Sequence, residues 1–270
     1  MELNALFQTS TPVIGVVHLL PLPTSARWQG SIQAIMDRAV QEAVALASGG
    51  VNGIIVENFF DAPFTKGFVD PAVVSAMTVV VSHLRQLVTV PIGINVLRND
   101  ARSGLAIAAC TGAEFIRVNV LTGVMATDQG LIEGDAHRLM RYRRELAADV
   151  KVFADVLVKH AAPVGITLPE TAMANAVADT IHRGLADAVI VSGGATGDPP
   201  TSLDLANAKA VAGKTPVFIG SGANADNISK LIHSADGVIV SSSLKRWGQI
   251  DQPVDPNRVR QFIDVITSLI

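Results

Sequence analysis

The residues of this chain best suited to chemistry stand at the ends of apolar, β-branched runs: His18, Glu57, Asn95, Asn119 and Asp155. A polar group inside a parallel strand is costly unless it is paired, so such positions mark the end of a fold where ligands are met. Arg117 precedes Asn119 by two residues, and strand alternation puts both on one side of the sheet. That side is expected to be the interior, because a helix-covered surface offers a guanidinium no partner. Asp155 or Glu57 is its natural counterion. Two readings follow. In one, Asp155 or Glu57 is a general base or holds a divalent metal while Asn95 and Asn119 orient a substrate; in the other, a polar layer satisfies Arg117 and does nothing more.

Lys159 and His160 follow the same run as Asp155. A lysine desolvated near a binding site can form a Schiff base with a carbonyl compound, because its lowered pKa frees the amine; the alternative is a solvated strand-end charge. His18 is read either as an acid or base or as a histidine satisfied by neighbouring backbone. The one cysteine, Cys110, lies in an apolar helical run and reads as a buried, inert thiol. No His or Cys spacing matches a zinc site, and the identity of any metal is left unknown.

The late half of the chain carries a different signal. Pro216-Val-Phe-Ile-Gly-Ser-Gly222 and Gly237-Val-Ile-Val-Ser-Ser-Ser-Leu-Lys245 are short strands that end in small residues. Gly220, Ser221 and Gly222 let backbone approach an anion, Ser241, Ser242 and Ser243 add hydroxyls, and Lys245 adds a positive charge. Gly193 and Gly194, in Ser192-Gly-Gly-Ala-Thr-Gly-Asp-Pro-Pro200, would supply a third side to a phosphate cradle. Equally, these glycines and serines are turn and N-cap residues.

Eight apolar runs position these groups: Pro12 to His18, Gly53 to Asn58, Pro91 to Leu97, Phe115 to Leu121, Lys151 to Val158, Ala188 to Gly193, Pro216 to Gly222 and Gly237 to Ser242. Helically spaced segments separate them, at Ile32 to Ser48, Pro71 to Leu87, Arg102 to Cys110, Asp135 to Ala148, Pro169 to Arg183, Ser202 to Val211, Asn224 to His233 and Pro256 to Leu269. Eight strands alternating with helices predict an α/β fold, a (β/α)8 TIM barrel. No linker or composition shift divides residues 1–270, so one domain is expected. Gly49-Gly50 precedes its strand, which excludes a dinucleotide-binding turn there. Three loops after strands are long: Leu19 to Ser31, Phe59 to Asp70 and Thr122 to Gly134. The first two hold Leu19, Leu20, Leu22, Trp28, Phe59, Phe60, Phe64 and Phe68, which form either an exposed apolar patch or a packed cap over the barrel mouth.

Composition narrows the partners. A formal charge of -3 without a Lys/Arg cluster argues against nucleic acid. A single cysteine fits a reducing compartment. No signal peptide is evident at the N-terminus and no apolar run reaches the ~18 residues of a membrane span, so any membrane contact is expected to be peripheral.

Long strings carry a resemblance. Val13-Ile-Gly-Val-Val-His-Leu-Leu-Pro-Leu-Pro23, Gly53-Ile-Ile-Val-Glu-Asn-Phe59, Phe115-Ile-Arg-Val-Asn-Val-Leu-Thr-Gly123, Ala154-Asp-Val-Leu-Val-Lys-His160 and Val238-Ile-Val-Ser-Ser-Ser-Leu-Lys245 resemble the BtpA family, its cyanobacterial members in particular. The resemblance implies a barrel of the ribulose-phosphate-binding kind. It also implies a peripheral protein at the cytoplasmic face of the thylakoid, needed for accumulation of photosystem I reaction-centre proteins and acting on them or their assembly intermediates. It transfers no catalytic mechanism. Family members in organisms without photosynthesis imply an older activity, for which an enzyme acting on a phosphorylated small metabolite is the alternative. Substrate, reaction, cofactor and oligomeric state, a homo-oligomer included, are left open.

Overall fold

A computed structural model describes residues 1–165 and 169–270. The chain opens with α1 (Leu3–Phe7), β1 (Val13–His18), α2 (Ile32–Ser48), β2 (Gly53–Glu57), α3 (Pro71–Leu84), β3 (Ile92–Asn95), α4 (Ala101–Thr111) and β4 (Phe115–Val118). It continues through β5 (Val124–Thr127), β6 (Gly130–Glu133), α5 (Ala136–Glu145), β7 (Lys151–Val156), β8 (Ala161–Pro163) and α6 (Pro169–His182). The last part is β9 (Ala188–Val191), α7 (Ser202–Ala212), β10 (Val217–Ile219), α8 (Ile228–Leu231), β11 (Gly237–Val240) and α9 (Pro256–Thr267). Strands β1, β2, β3, β4, β7, β9, β10 and β11 close in that order into a parallel barrel, with β11 pairing back onto β1. The predicted TIM barrel is the observed fold.

Helix starts follow local chemistry. Ser31 accepts from the Ala34 amide, and Asp70 and Asp255 cap helices that begin on Pro71 and Pro256. Proline costs nothing in a first turn, where its missing N–H would be unpaired anyway. Thr201 and Asp204 form a reciprocal capping box at α7.

Two apolar cores result from strand alternation. Val13, Val17, Ile54, Val56, Ile94, Ile116, Val152 and Val189 face outward and pack on the helices. The other side of each strand fills the barrel with Ile14, Val16, Ile55, Phe115, Phe153, Ile190, Phe218 and Ile239. The Phe115 and Phe153 rings stack at 4.8 Å, and Phe153 meets Phe218 at 5.1 Å. Glycines make the room: a Cβ at Gly93 would stand 2.2 Å from the Phe115 ring, and one at Gly237 would stand 2.5 Å from Phe218. From α1, Phe7 closes the bottom against Phe115 and Phe153.

Some expectations are corrected. Helix α1 is five residues long, too short to show helical periodicity. The loop after β4 is not structureless: β5 and β6 form an antiparallel hairpin joined by β8, over a small core of Val120, Met125, Ile132 and Val158. Its strands are only four residues long, which hid the pattern. The helix expected from Asn224 to His233 shrinks to α8 and a following 3-10 turn, because the Asn224 side chain accepts from the Asp226 and Asn227 amides and holds a turn there. Cys110 is exposed, not buried, since it falls on the outer face of α4. The apolar loops form mainly a cap: Leu19 and Leu22 are buried, Trp28, Phe59, Phe60 and Phe64 half-buried, and Phe68 is 69% exposed. Among the described residues no helix is long and apolar enough to cross a membrane.

The Phe115 ring is held between Phe7 and Phe153 and has nowhere to move. Gly93→Ala is therefore expected to cost about 1–3 kcal/mol of stability through overpacking, read as a lower urea midpoint at unchanged m-value.

Candidate functional site

The C-terminal ends of the strands bring the expected polar residues together. Register pairs His18 with Glu57 and Glu57 with Asn95, so three neighbouring strands present one row of polar side chains above the aromatic core. Asn95 Nδ2 donates to Glu57 Oε2, and His18 Nε2 lies 3.9 Å from Glu57 Oε1. Arg117 forms a two-pronged pair with Asp155, Nε to Oδ2 and a terminal nitrogen to Oδ1, both at 2.8 Å. Asn119 Nδ2 adds a third bond to Asp155 at 3.0 Å. Of the two acids open to Arg117 from sequence, the barrel chooses Asp155. Each of these side chains is buried.

Burial sets the charges. It would by itself lower the Arg117 pKa, but Asp155 and, more weakly, Glu57 outweigh it and raise the guanidinium pKa above its usual value. His18 is pushed well below the ordinary histidine value, first by burial and then by the cations Lys245, Lys159, Arg117 and Arg38. Its neutral ring stacks on Phe59 at 4.4 Å. Lys159 is lowered too, by burial and by Arg117, against the opposing pull of Glu57 and Asp155.

Above this row the mouth opens in two connected parts. A narrow inner part of about 40 Å³ lies among His18, Gly220, Gly222, Ser241 and Ser242. An outer chamber of about 530 Å³ is bounded by Arg27, Phe60, Asn95, Arg98, Asn119 and His160, a size suited to a small ligand. Glu57, Phe59, Arg117, Lys159, Thr196 and Ile250 line both. His18 Nδ1, Asn95 Oδ1, Asn119 Oδ1, Ser192 Oγ and Ser241 Oγ are buried there or close by with no hydrogen-bond partner. Native proteins leave few such atoms unsatisfied, so a cluster of them marks a place built for a polar ligand. A larger groove of about 580 Å³ on the flank, between Phe68 and Arg138, contains none of the candidate residues.

The late glycines and serines divide into groups. A Cβ at Gly222 would meet the Asp198–Pro199 backbone at 2.1–2.3 Å, and one at Gly193 would meet the same segment at 2.6 Å. These two glycines let the loop after β9 lie against the loop after β10. Gly220 leaves room for Ser192 Oγ, while Gly194 faces open space. Ser221 Oγ donates to the Asp198 carbonyl and Ser243 Oγ to the Ala223 carbonyl. Ser241 and Ser242 remain at the inner chamber. Lys245 is corrected: it points away from the mouth, fully buried, with Nζ 2.8 and 2.9 Å from the two Glu42 oxygens of α2. Nor do Glu57 and Asp155 form a ready metal site. Their carboxylates are engaged by Asn95, Arg117 and Asn119, and among the described residues no three His, Cys, Asp or Glu side chains converge.

Sequence reasoning missed Arg98 and Thr196 as mouth residues. Arg98 follows β3 and its terminal nitrogen donates to the Lys159 carbonyl at 2.9 Å. Its only sequence signal was a charge just past a strand.

The sequence profile of the BtpA family matches residues 9–268. The chain belongs to the BtpA family. It is 66% identical over 266 residues to a protein of Synechocystis named photosystem I biogenesis protein BtpA, spanning 98% of this chain and 91% of that one. A protein of Thermococcus kodakarensis is 44% identical over 258 residues, 96% of each chain. Among solved structures, N-(5'-phosphoribosyl)anthranilate isomerase from Pyrococcus furiosus superposes with a TM-score of 0.58 over 96% of this chain and 99% of that one. At 16% identity that likeness shows the barrel alone.

A histidine kept neutral by the fold makes stability depend on pH. Folded His18 refuses a proton that the unfolded chain accepts near the ordinary value of 6.5, so its contribution is complete above that pH and is lost as pH falls. As pH falls below about 6.5 the native protein should lose up to about 1.4 kcal/mol per pH unit more than His18→Gln. Equal slopes in paired urea titrations would show that His18 is protonated in place.

Proposed function

We propose that this chain is a photosystem I biogenesis factor that supports accumulation of reaction-centre proteins from the cytoplasmic face of the thylakoid membrane. The observation that carries this is the 66% identity, nearly end to end, with the Synechocystis protein of that name. Its partners on this reading are reaction-centre proteins or their assembly intermediates. The surface best suited to meet them or the bilayer is at the mouth end. There Phe68, after β2, and Trp247, after β11, are 69% and 74% exposed. Phe59 and Phe60 are half-buried and also wall the outer chamber.

In a Synechocystis strain lacking its own relative, this chain is expected to restore reaction-centre proteins, with a share of it in the membrane fraction. Phe68→Ser with Trp247→Ser should move it to the soluble fraction without unfolding it, since neither side chain is packed. Unchanged partitioning on immunoblots would remove these residues from the contact.

A second reading is favoured by the unpartnered buried atoms of the mouth: the barrel binds a phosphorylated small molecule. The phosphate would sit against the backbone of Gly220, Ser221 and Gly222 and the hydroxyls of Ser241 and Ser242, with His18, Glu57, Asn95, Asn119 and Lys159 toward the reacting part. The relative in the archaeon Thermococcus kodakarensis fits a role older than a photosystem. Asp155 serves on this reading as the support of Arg117, and Glu57 is the acid facing the ligand. A ligand at a hundred times its Kd adds about 2.7 kcal/mol of stability. Inorganic phosphate and glycerol phosphate should thus raise the melting temperature, and Ser241→Ala, which deletes an unpartnered hydroxyl, should blunt the rise. No rise at saturating concentrations would end this reading.

A further inference from the structure

We propose that Lys159 is a nucleophilic amine that captures the carbonyl carbon of a phosphorylated aldehyde or ketone as an imine. The inference rests on the small-molecule reading of the mouth and names the class of compound bound there. Lys159 lines both the inner and the outer chamber. Its amine makes no ion pair or hydrogen bond among the described residues, in contrast to Lys245 with Glu42, Lys209 with Asp236 and Lys151 with Asp149. The acids nearest the amine are committed elsewhere, Asp155 to Arg117 and Asn119, and Glu57 to Asn95. Arg117 and Arg98 oppose a further positive charge there.

The backbone around Lys159 is bent to present it. Leu157 and His160 both adopt positive φ, 48° and 56°, a region that side-chain-bearing residues occupy only at a cost and that clusters at functional sites. The surroundings hold the bend. The His160 amide donates to the Gly194 carbonyl at 3.1 Å, the Thr196 amide donates to His160 Nε2 at 3.1 Å, and Arg98 clamps the Lys159 carbonyl. Loops after three different strands thus converge on one lysine.

The surroundings suit a hydroxylated carbonyl compound. Phe59 and Ile250 supply apolar wall beside the amine, and the free Asn95 Oδ1 and Asn119 Oδ1 accept from substrate hydroxyls. The neutral amine attacks the carbonyl carbon, forming the C–N bond while the carbonyl π pair moves to oxygen, which takes a proton. Nitrogen then loses a proton, the hydroxyl is protonated and leaves as water, and the nitrogen lone pair forms the C=N bond of a protonated imine. One amine, one carbonyl and one proton yield one iminium and one water, with no change of oxidation state. Glu57 faces the same chambers and is placed to carry the protons.

The test is reductive trapping on the full chain at pH 7 with glycolaldehyde phosphate and cyanoborohydride, followed by peptide mass spectrometry. Lys159 should gain the reduced adduct at least tenfold faster than the exposed Lys66, Lys214 and Lys230, with a rate that saturates in aldehyde phosphate. Modification of Lys159 no faster than of those three overturns the proposal. Unphosphorylated glycolaldehyde and the melting shift with inorganic phosphate separate the two layers. Selective trapping at equal rates with both aldehydes upholds the amine and removes the phosphate site. A phosphate shift with an unreactive Lys159 overturns the amine and leaves the mouth reading standing.

Discussion

The two-pronged pair between Arg117 and Asp155 is the constraint on which the mouth is built. A guanidinium buried inside a barrel can be tolerated only if its charge and donors are met, and Asp155, reinforced by Asn119, meets them at 2.8 Å. Removing one partner of such a pair typically costs about 3–5 kcal/mol, because the other is left charged and dry. The pair also fixes the electrostatics around it. Arg117 stays cationic, and its charge adds to the burial that pushes His18 and Lys159 below their ordinary pKa values. Asp155 is therefore a support and not a free base, while Glu57 is the acid that lines both chambers.

Below the pair, phenylalanines and glycines share the barrel interior. Phe115, Phe153 and Phe218 fill it, and Gly53, Gly93 and Gly237 yield the volume they and Phe7 take. That dry plug separates the polar rim from the bottom, so ligands can approach only from the C-terminal end. A second buried pair, Lys245 with Glu42, ties the segment after β11 to α2. It takes Lys245 out of reach of the mouth, so a phosphate there would meet backbone groups, Ser241 and Ser242, with Arg117 and Lys159 as the cations that line the same chamber.

Family membership and site geometry speak to different things. The long identity with a photosystem I biogenesis protein bears on the whole surface of the chain, while the unpartnered polar atoms bear on the mouth. The two are compatible: Phe59, Phe60 and Phe64 wall the outer chamber, and the outward-facing Phe68 and Trp247 leave a separate surface for a partner or bilayer.

By itself the sequence determined the eight strands, their alternation with helices, the family and the rim of His18, Glu57, Asn95, Asn119 and Asp155, because continuous apolar runs and strand-end polarity are local properties. Only the tertiary structure decided which acid paired with Arg117, that Lys245 turned to Glu42, that Gly193 and Gly222 serve loop-on-loop packing, and that Cys110 faces solvent. Those outcomes depend on the stagger with which the strands close and on distances between residues tens of positions apart. The hairpin of β5 and β6 and the short plug of α1 escaped detection for a related reason. Each is too short to be recognised without the surface it packs against.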